Sequence, residues 1–322
     1  MRRFLRLVRF LLVSLLVTVV ACAALFWYFL YTPDPALPVL NGLVTRESIE
    51  VGGLKRTYRS YVPKGLKPGA PLVMVMHGSG QNGAQIGMET GYGFERLADR
   101  HGFAVVYPDA YTFDWNDCSK LGDYSVNGVA VDDAGFLSAL ADKLAGEMDL
   151  DRRRVFAAGV SSGGFMALRL ALEAPSRFRA VAAVSASVPA PENFKCRPAA
   201  GSASVMFMNG TKDPLVPFDG GEVSLLGLFY KTGHVRSSRD SAQYVADLNH
   251  IAGAPAPLAE GGRVRRSLWR NGGNAEVELV VIEGGGHGMP QPYWRRPRLV
   301  GPSPMAPNGP ELIWDFFQRQ RP

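Results

Sequence analysis

Gly159-Val160-Ser161-Ser162-Gly163 matches G-x-S-x-G, a serine flanked two residues either side by glycine. Such a serine can attack an ester carbonyl if a base takes its proton and an acid orients the base. The chain has five histidines. His287 stands in Gly284-Gly285-Gly286-His287-Gly288, directly after the apolar run VELVVIE, and its glycines let the loop approach a nucleophile. It is the candidate base. His77 borders a glycine turn, His101 a helix-to-strand turn, His234 an irregular insertion, and His250 ends a helical pattern. Asp213 follows the run SVMFM in the turn Asn209–Pro214. It lies between Ser161 and His287, a chain order of serine, acid and histidine that suits a catalytic relay. Asp219 is its nearest rival and Glu222 a weaker one. Asp132 and Asp133 precede the serine and read as first-turn acids facing a helix dipole. Acyl transfer also needs donors for a tetrahedral oxyanion. The candidates are the backbone N–H groups of Ser162 and of Ser79, the latter in His77-Gly78-Ser79-Gly80-Gln81.

These residues need a scaffold that presents them together. A strand pattern (RVFAAG) precedes Ser161 and a helix pattern (GGFMALRLALE) follows, which suits a sharp turn that lifts the hydroxyl above a sheet. Apolar strand runs recur at 71–76, 103–107, 154–158, 179–185, 204–208 and 277–282. Helical spacing recurs at 93–100, 131–148 and 311–319. This alternation predicts an α/β fold, a mainly parallel sheet covered by helices on both faces. Arg56–Val62 reads as an edge strand, 32–50 as a linker and 51–322 as one domain. The insertion 220–238 reads as loop yet carries Leu225, Leu226, Leu228, Phe229 and Tyr230. It is either a lid or acyl-pocket wall, or a short core-packing helix. Leu226, Phe229 and Trp115 are candidate pocket residues.

The N-terminal segment bears on location. Phe10–Tyr31 is an uncharged run of 22 residues, long enough as a helix to cross a bilayer core. Arg2, Arg3, Arg6 and Arg9 precede it and should stay in the cytoplasm, which puts the rest of the chain outside. An uncleaved anchor is the first reading of 1–31, because a signal peptide core is usually shorter. Cleavage at Ala21-Cys22-Ala23, or lipidation at Cys22 of a loose Val19-Val20-Ala21-Cys22 lipobox, remain the alternatives. Net charge is +6 from 35 basic and 29 acidic residues. The four leading arginines account for most of that, so the remainder is too balanced for a nucleic-acid footprint. Cys22 lies in the apolar run, which leaves Cys118 and Cys196 as one candidate disulfide pair in an oxidising compartment.

The motifs MHGSGQ (76–81), VDDAGF (131–136), DRRRVFAAGVSSGGFMA (151–167), NGTKDPLVPF (209–218), VELVVIEGGGHGMP (277–290) and ELIWDFFQRQ (311–320) resemble the polyhydroxybutyrate depolymerase and feruloyl esterase group of α/β-hydrolases. The resemblance covers roughly 51–320. It implies an exported serine esterase without metal or organic cofactor, with Ser161, Asp213 and His287 on the triad positions. Two departures stand out. Ser79 occupies a position where the group often has Cys. Gly288-Met289-Pro290 replaces Thr-Trp-Pro, so Met289 takes the place of an aromatic expected to shape the pocket. No polymer- or carbohydrate-binding module is read in the chain. The expected reaction is hydrolysis of a small or oligomeric ester (hydroxybutyrate-oligomer, short-chain acyl or feruloyl) through an acyl-enzyme on Ser161. The alternatives are acyl transfer by the same triad, and a membrane-tethered binding scaffold without catalysis. The sequence leaves the oligomeric state open.

Overall fold

The computed structural model describes the whole chain except residues 121–124, 127–128, 226, 273–274 and 321–322. The first element is a long helix, α1 (Arg2–Leu30), none of whose residues is buried. β1 (Leu43–Val51) and β2 (Leu54–Val62) form an antiparallel hairpin. Then come β3 (Leu72–Met76), α2 (Gly83–Glu89), α3 (Gly93–His101), β4 (Ala104–Pro108), and a small ribbon of β5 (Ser125–Val126) and β6 (Val129–Ala130). α4 (Asp133–Glu147), β7 (Val155–Val160), α5 (Ser162–Glu173), β8 (Ala180–Val184) and β9 (Ser204–Gly210) follow. A separate hairpin, β10 (Gly221–Leu225) and β11 (Phe229–Val235), leads to α6 (Ser238–Leu248). β12 (Ala256–Gly261), β13 (Val264–Trp269), β14 (Val277–Ile282) and α7 (Gly309–Arg319) complete the order.

Among the described residues, ten strands form one sheet in the order β1-β2-β4-β3-β7-β8-β9-β14-β13-β12. The centre, from β4 to β14, is parallel, and antiparallel strands finish both sides. The central strands are apolar along their whole length because both faces are covered. In β3, Leu72, Met74 and Met76 join one core layer with residues of α4, α5 and α6. Val73 and Val75 join the other with Ile86, Phe94, Leu97, Ile313 and Phe317 from α2, α3 and α7. The period of two sends alternate side chains to opposite faces. The expected α/β-hydrolase architecture is therefore present.

Two expectations need correction. The segment 32–50 is not all linker: β1 begins at Leu43 and pairs with β2 along nine residues. Its charged, exposed residues (Arg46, Glu47, Glu50) hide the strand because β1 lies at the sheet edge, with one neighbour and little to bury. The insertion 220–238 is neither loop nor helix but the β10–β11 hairpin, which stands apart from the main sheet.

The core beside α3 holds an acid with a pH consequence. Glu95 is buried, and loss of hydration pushes its carboxyl up to about 7. The folded state thus binds a proton that the unfolded state releases near 4.5. That contribution is complete below about 4.5 and lost as pH rises through about 7. Glu95→Gln keeps the neutral form at every pH. It is expected to be more stable than wild type at pH 8, by up to about 3 kcal/mol, with the gap closing toward pH 5. Urea unfolding of both proteins at the two pH values measures this.

Candidate active site

Ser161 caps α5 at the end of β7, with φ 56° and ψ −123°. A side chain at positive φ is strained, so packing must hold it there. The flanking glycines show how. A Cβ at Gly163 would lie 2.4 Å from the Met76 carbonyl oxygen, and one at Gly159 would lie 2.0 Å from that of Gly163. Only glycine lets the turn fold this tightly against β3. The Ser161 N–H donates to the Val184 carbonyl (2.9 Å), which fastens the turn to β8.

Asp213 follows β9 and His287 follows β14. The His287 Nδ1 lies 2.8 Å from Asp213 Oδ2 and 3.1 Å from Oδ1, with both side chains almost fully buried. Asp213 is held in turn by the N–H groups of Leu215 and Val216, each donating to Oδ1 at 2.9 Å. Neither Asp219 nor Glu222 bonds to His287; Glu222 pairs with Lys231. The histidine loop is fixed from three sides. The Gly286 N–H donates to the Pro302 carbonyl (2.7 Å) and the His287 N–H to that of Val300 (2.8 Å). The Gly288 N–H donates to Ser185 Oγ (2.7 Å) at the end of β8. Ser185 thus couples the histidine loop to the strand beside the serine turn. Among the described residues no hydrogen bond joins Ser161 to His287. In ligand-free hydrolases this contact is often long and tightens only with substrate.

The loops after β3 and β4 supply the opposite wall. His77 is buried, and loss of hydration lowers its pKa. Its Nε2 accepts from the Ala110 N–H (3.0 Å), so Nδ1 carries the proton and donates to the Gly78 carbonyl (2.7 Å). A neutral His77 therefore shapes the loop that carries Ser79. Ser162 is the first residue of α5, where the N–H has no intrahelical acceptor. Among the described residues the Ser79 N–H is likewise unused. Ser162 Oγ accepts from the Trp115 N–H (3.1 Å), and the Trp115 indole donates to the His77 carbonyl (3.0 Å). Asp133 Oδ1 pairs with the buried Arg56 (2.6 Å) while Oδ2 accepts from the Asn116 N–H (2.8 Å). Asp132 caps α4 by accepting from the Gly135 N–H. Of these two acids, Asp133 also positions the tryptophan loop.

The cavity at the serine is lined by Ser161, Ser162, Ser79, Trp115, Phe165 and Tyr230, among others. Trp115 lies in its wall. Phe229 does not: it is 61% exposed, one residue before the tyrosine that does face the site. Met289 is 3% exposed and packs in the core near Gly309 at the start of α7, because the chain turns inward at Gly288. Leu226 lies outside the described residues. Asp114 and Ser185 escaped the sequence reading, which marks Tyr230 only as one of the insertion's apolar residues and does not single it out for the pocket. Phe229, its neighbour in the same apolar stretch, is singled out instead.

Cys118 and Cys196 form a disulfide across a sequence separation of 78. It ties the Trp115 loop to the segment after β8, beside a Lys195 N–H donating to the Cys118 carbonyl (2.9 Å).

A family model for esterase PHB depolymerase matches residues 56–222. The chain belongs to this family. It is 31% identical over 308 residues to a putative esterase, NocK, of Nocardia uniformis, covering 89% of this chain and 86% of that one. It is 26% identical over 269 residues to feruloyl esterase C of Emericella nidulans, covering 81% and 83%. The fold matches the acetyl xylan esterase of Aspergillus awamori with a TM-score of 0.56 at 15% identity, over 76% of this chain and 94% of that one. The protein is a carboxylic ester hydrolase of the α/β-hydrolase fold.

Replacing both Cys118 and Cys196 by alanine is expected to cost about 4 kcal/mol, since the bridge closes a long loop. The test is equilibrium unfolding of the variant against wild type. Equal midpoints would show that the bridge contributes nothing to stability.

Proposed function

We propose that the protein is a serine esterase that works through an acyl-enzyme on Ser161, in a domain held outside the cytoplasm by α1. The observation that carries the reading is the Asp213–His287 pair on a loop fastened, through Ser185, to the strand beside the strained Ser161 turn. Asp213 accepts from Nδ1–H, which leaves Nε2 as the basic nitrogen. Nε2 takes the Ser161 proton as Oγ attacks the ester carbonyl. The carbonyl oxygen becomes an oxyanion within reach of the Ser79 and Ser162 N–H groups, at the positive end of α5. His287 then returns the proton to the departing alcohol. A water, deprotonated by His287, attacks the acyl-enzyme, and Ser161 recovers its proton when the acid leaves.

The proposal for location rests on α1. Its apolar window has a mean hydropathy of 2.6, and the arginines lie at its N-terminal end. The proposed organisation is an anchor over 1–31, a short linker to β1 at Leu43, and a catalytic domain over the rest.

Ser161→Ala is expected to abolish hydrolysis of p-nitrophenyl esters and covalent labelling by a fluorophosphonate. Asp213→Asn presents an amide to Nδ1 and is expected to lower kcat by about 10³–10⁴-fold. Undiminished turnover in Ser161→Ala would overturn the reading. Transfer of the acyl group to an added sugar acceptor, seen by product analysis, would redirect it to an acyltransferase.

A further inference from the structure

The two sides of Ser161 differ, and the difference identifies the acyl side. His287 has to reach the leaving oxygen, so the alcohol lies on the His287 side. The cavity lined by Ser161, both oxyanion candidates, Trp115, Phe165 and Tyr230 does not include His287. It is therefore the place for the acyl chain. Its volume is about 30 Å³, a small space beside the serine. The ester carbonyl itself sits at Ser161, so the methyl of an acetyl group fills this space. A butyryl or feruloyl chain would have to pass or displace Tyr230, which lies 38% exposed at the rim.

Tyr230 makes the cavity this small. It comes from β11, and its backbone takes φ +53°, a strained value for a tyrosine. Its hydroxyl donates to Asp114 Oδ2 (2.5 Å). With that proton committed, the same oxygen accepts from Ser79 Oγ–H (2.7 Å). One hydroxyl thereby joins the hairpin to the loops after β3 and β4. The short bond to a carboxylate is of the strong kind. It offsets the backbone strain and fixes the ring in the cavity wall.

We propose that Tyr230 is the residue that sets acyl-group size, restricting the enzyme to acetyl-class esters. This rests on the Ser161 acyl-enzyme reading above. Tyr230→Ala removes the wall. Tyr230→Phe keeps the ring but loses both hydrogen bonds, which frees the hairpin to yield to longer chains.

The test compares kcat and KM of the full-length protein in detergent on p-nitrophenyl acetate and butyrate. Wild type is expected to prefer acetate by at least about 10-fold in kcat/KM, the scale at which a pocket discriminates methylenes. Tyr230→Ala is expected to lower that preference by about 10- to 100-fold, through a fall in butyrate KM and a rise in its kcat. Tyr230→Phe is expected to fall between the two. Equal use of both esters by wild type, or an unchanged ratio in Tyr230→Ala, overturns the proposal. If wild type cleaves neither ester, or Ser161→Ala cleaves both as fast, the serine-esterase reading fails instead.

Discussion

The closeness of β3 to the start of α5 governs the site. The Met76 and His77 carbonyls approach Gly163 so nearly that no side chain fits between them. This contact forces the turn between β7 and α5 into a conformation that a serine adopts only under strain. The same contact brings the loop after β3, with Ser79, alongside the first N–H of the helix. The proposed nucleophile and the candidate oxyanion donors are thus placed by one packing constraint, before any catalytic hydrogen bond is made. A larger residue at Gly159 or Gly163 would displace both together.

The remaining parts of the site are positioned by polar groups buried at strand ends and at the start of α4. Ser185 holds the histidine loop, His77 shapes the Ser79 loop, and Asp133 holds the Trp115 loop against Arg56. Each group is shielded from water, so leaving a partner unpaired would cost about 1–3 kcal/mol. Strand ends are where such groups can be satisfied without disturbing the apolar sheet. The three loops, which differ widely in sequence position, are thereby set relative to a rigid floor.

How much of this the sequence revealed depended on the kind of signal. The buried strands announced themselves because both faces are covered, so their apolar runs are continuous. Asp213 and His287 were legible because chain order and flanking turns constrain them. β1 was not, since an edge strand carries charges on its open face. The hairpin of 221–235 was missed because its exposed residues, Leu228 and Phe229 among them, give no alternation that separates strand from loop. Phe229 and Tyr230 are neighbours in a strand and so point to opposite sides, and sequence could not say which one faced Ser161. Met289 failed as a pocket residue for a related reason: the direction of its side chain depends on the turn at Gly288, which composition does not reveal.

The segment after His287 joins two functions that the chain separates widely. Val300 and Pro302 hold the histidine loop through their carbonyls. Two residues before Val300, Arg298 donates to the Tyr28 carbonyl (3.0 Å) and lies over the Tyr28 ring, near the end of α1. Trp294 donates to the Pro33 carbonyl (2.9 Å), just past that end. The exit of the apolar helix therefore packs on the strip of chain that positions the proposed base. The loop of the proposed base is thereby held through the helix exit as well as by the sheet, and a domain lacking α1 would lose the first of these supports while keeping the second.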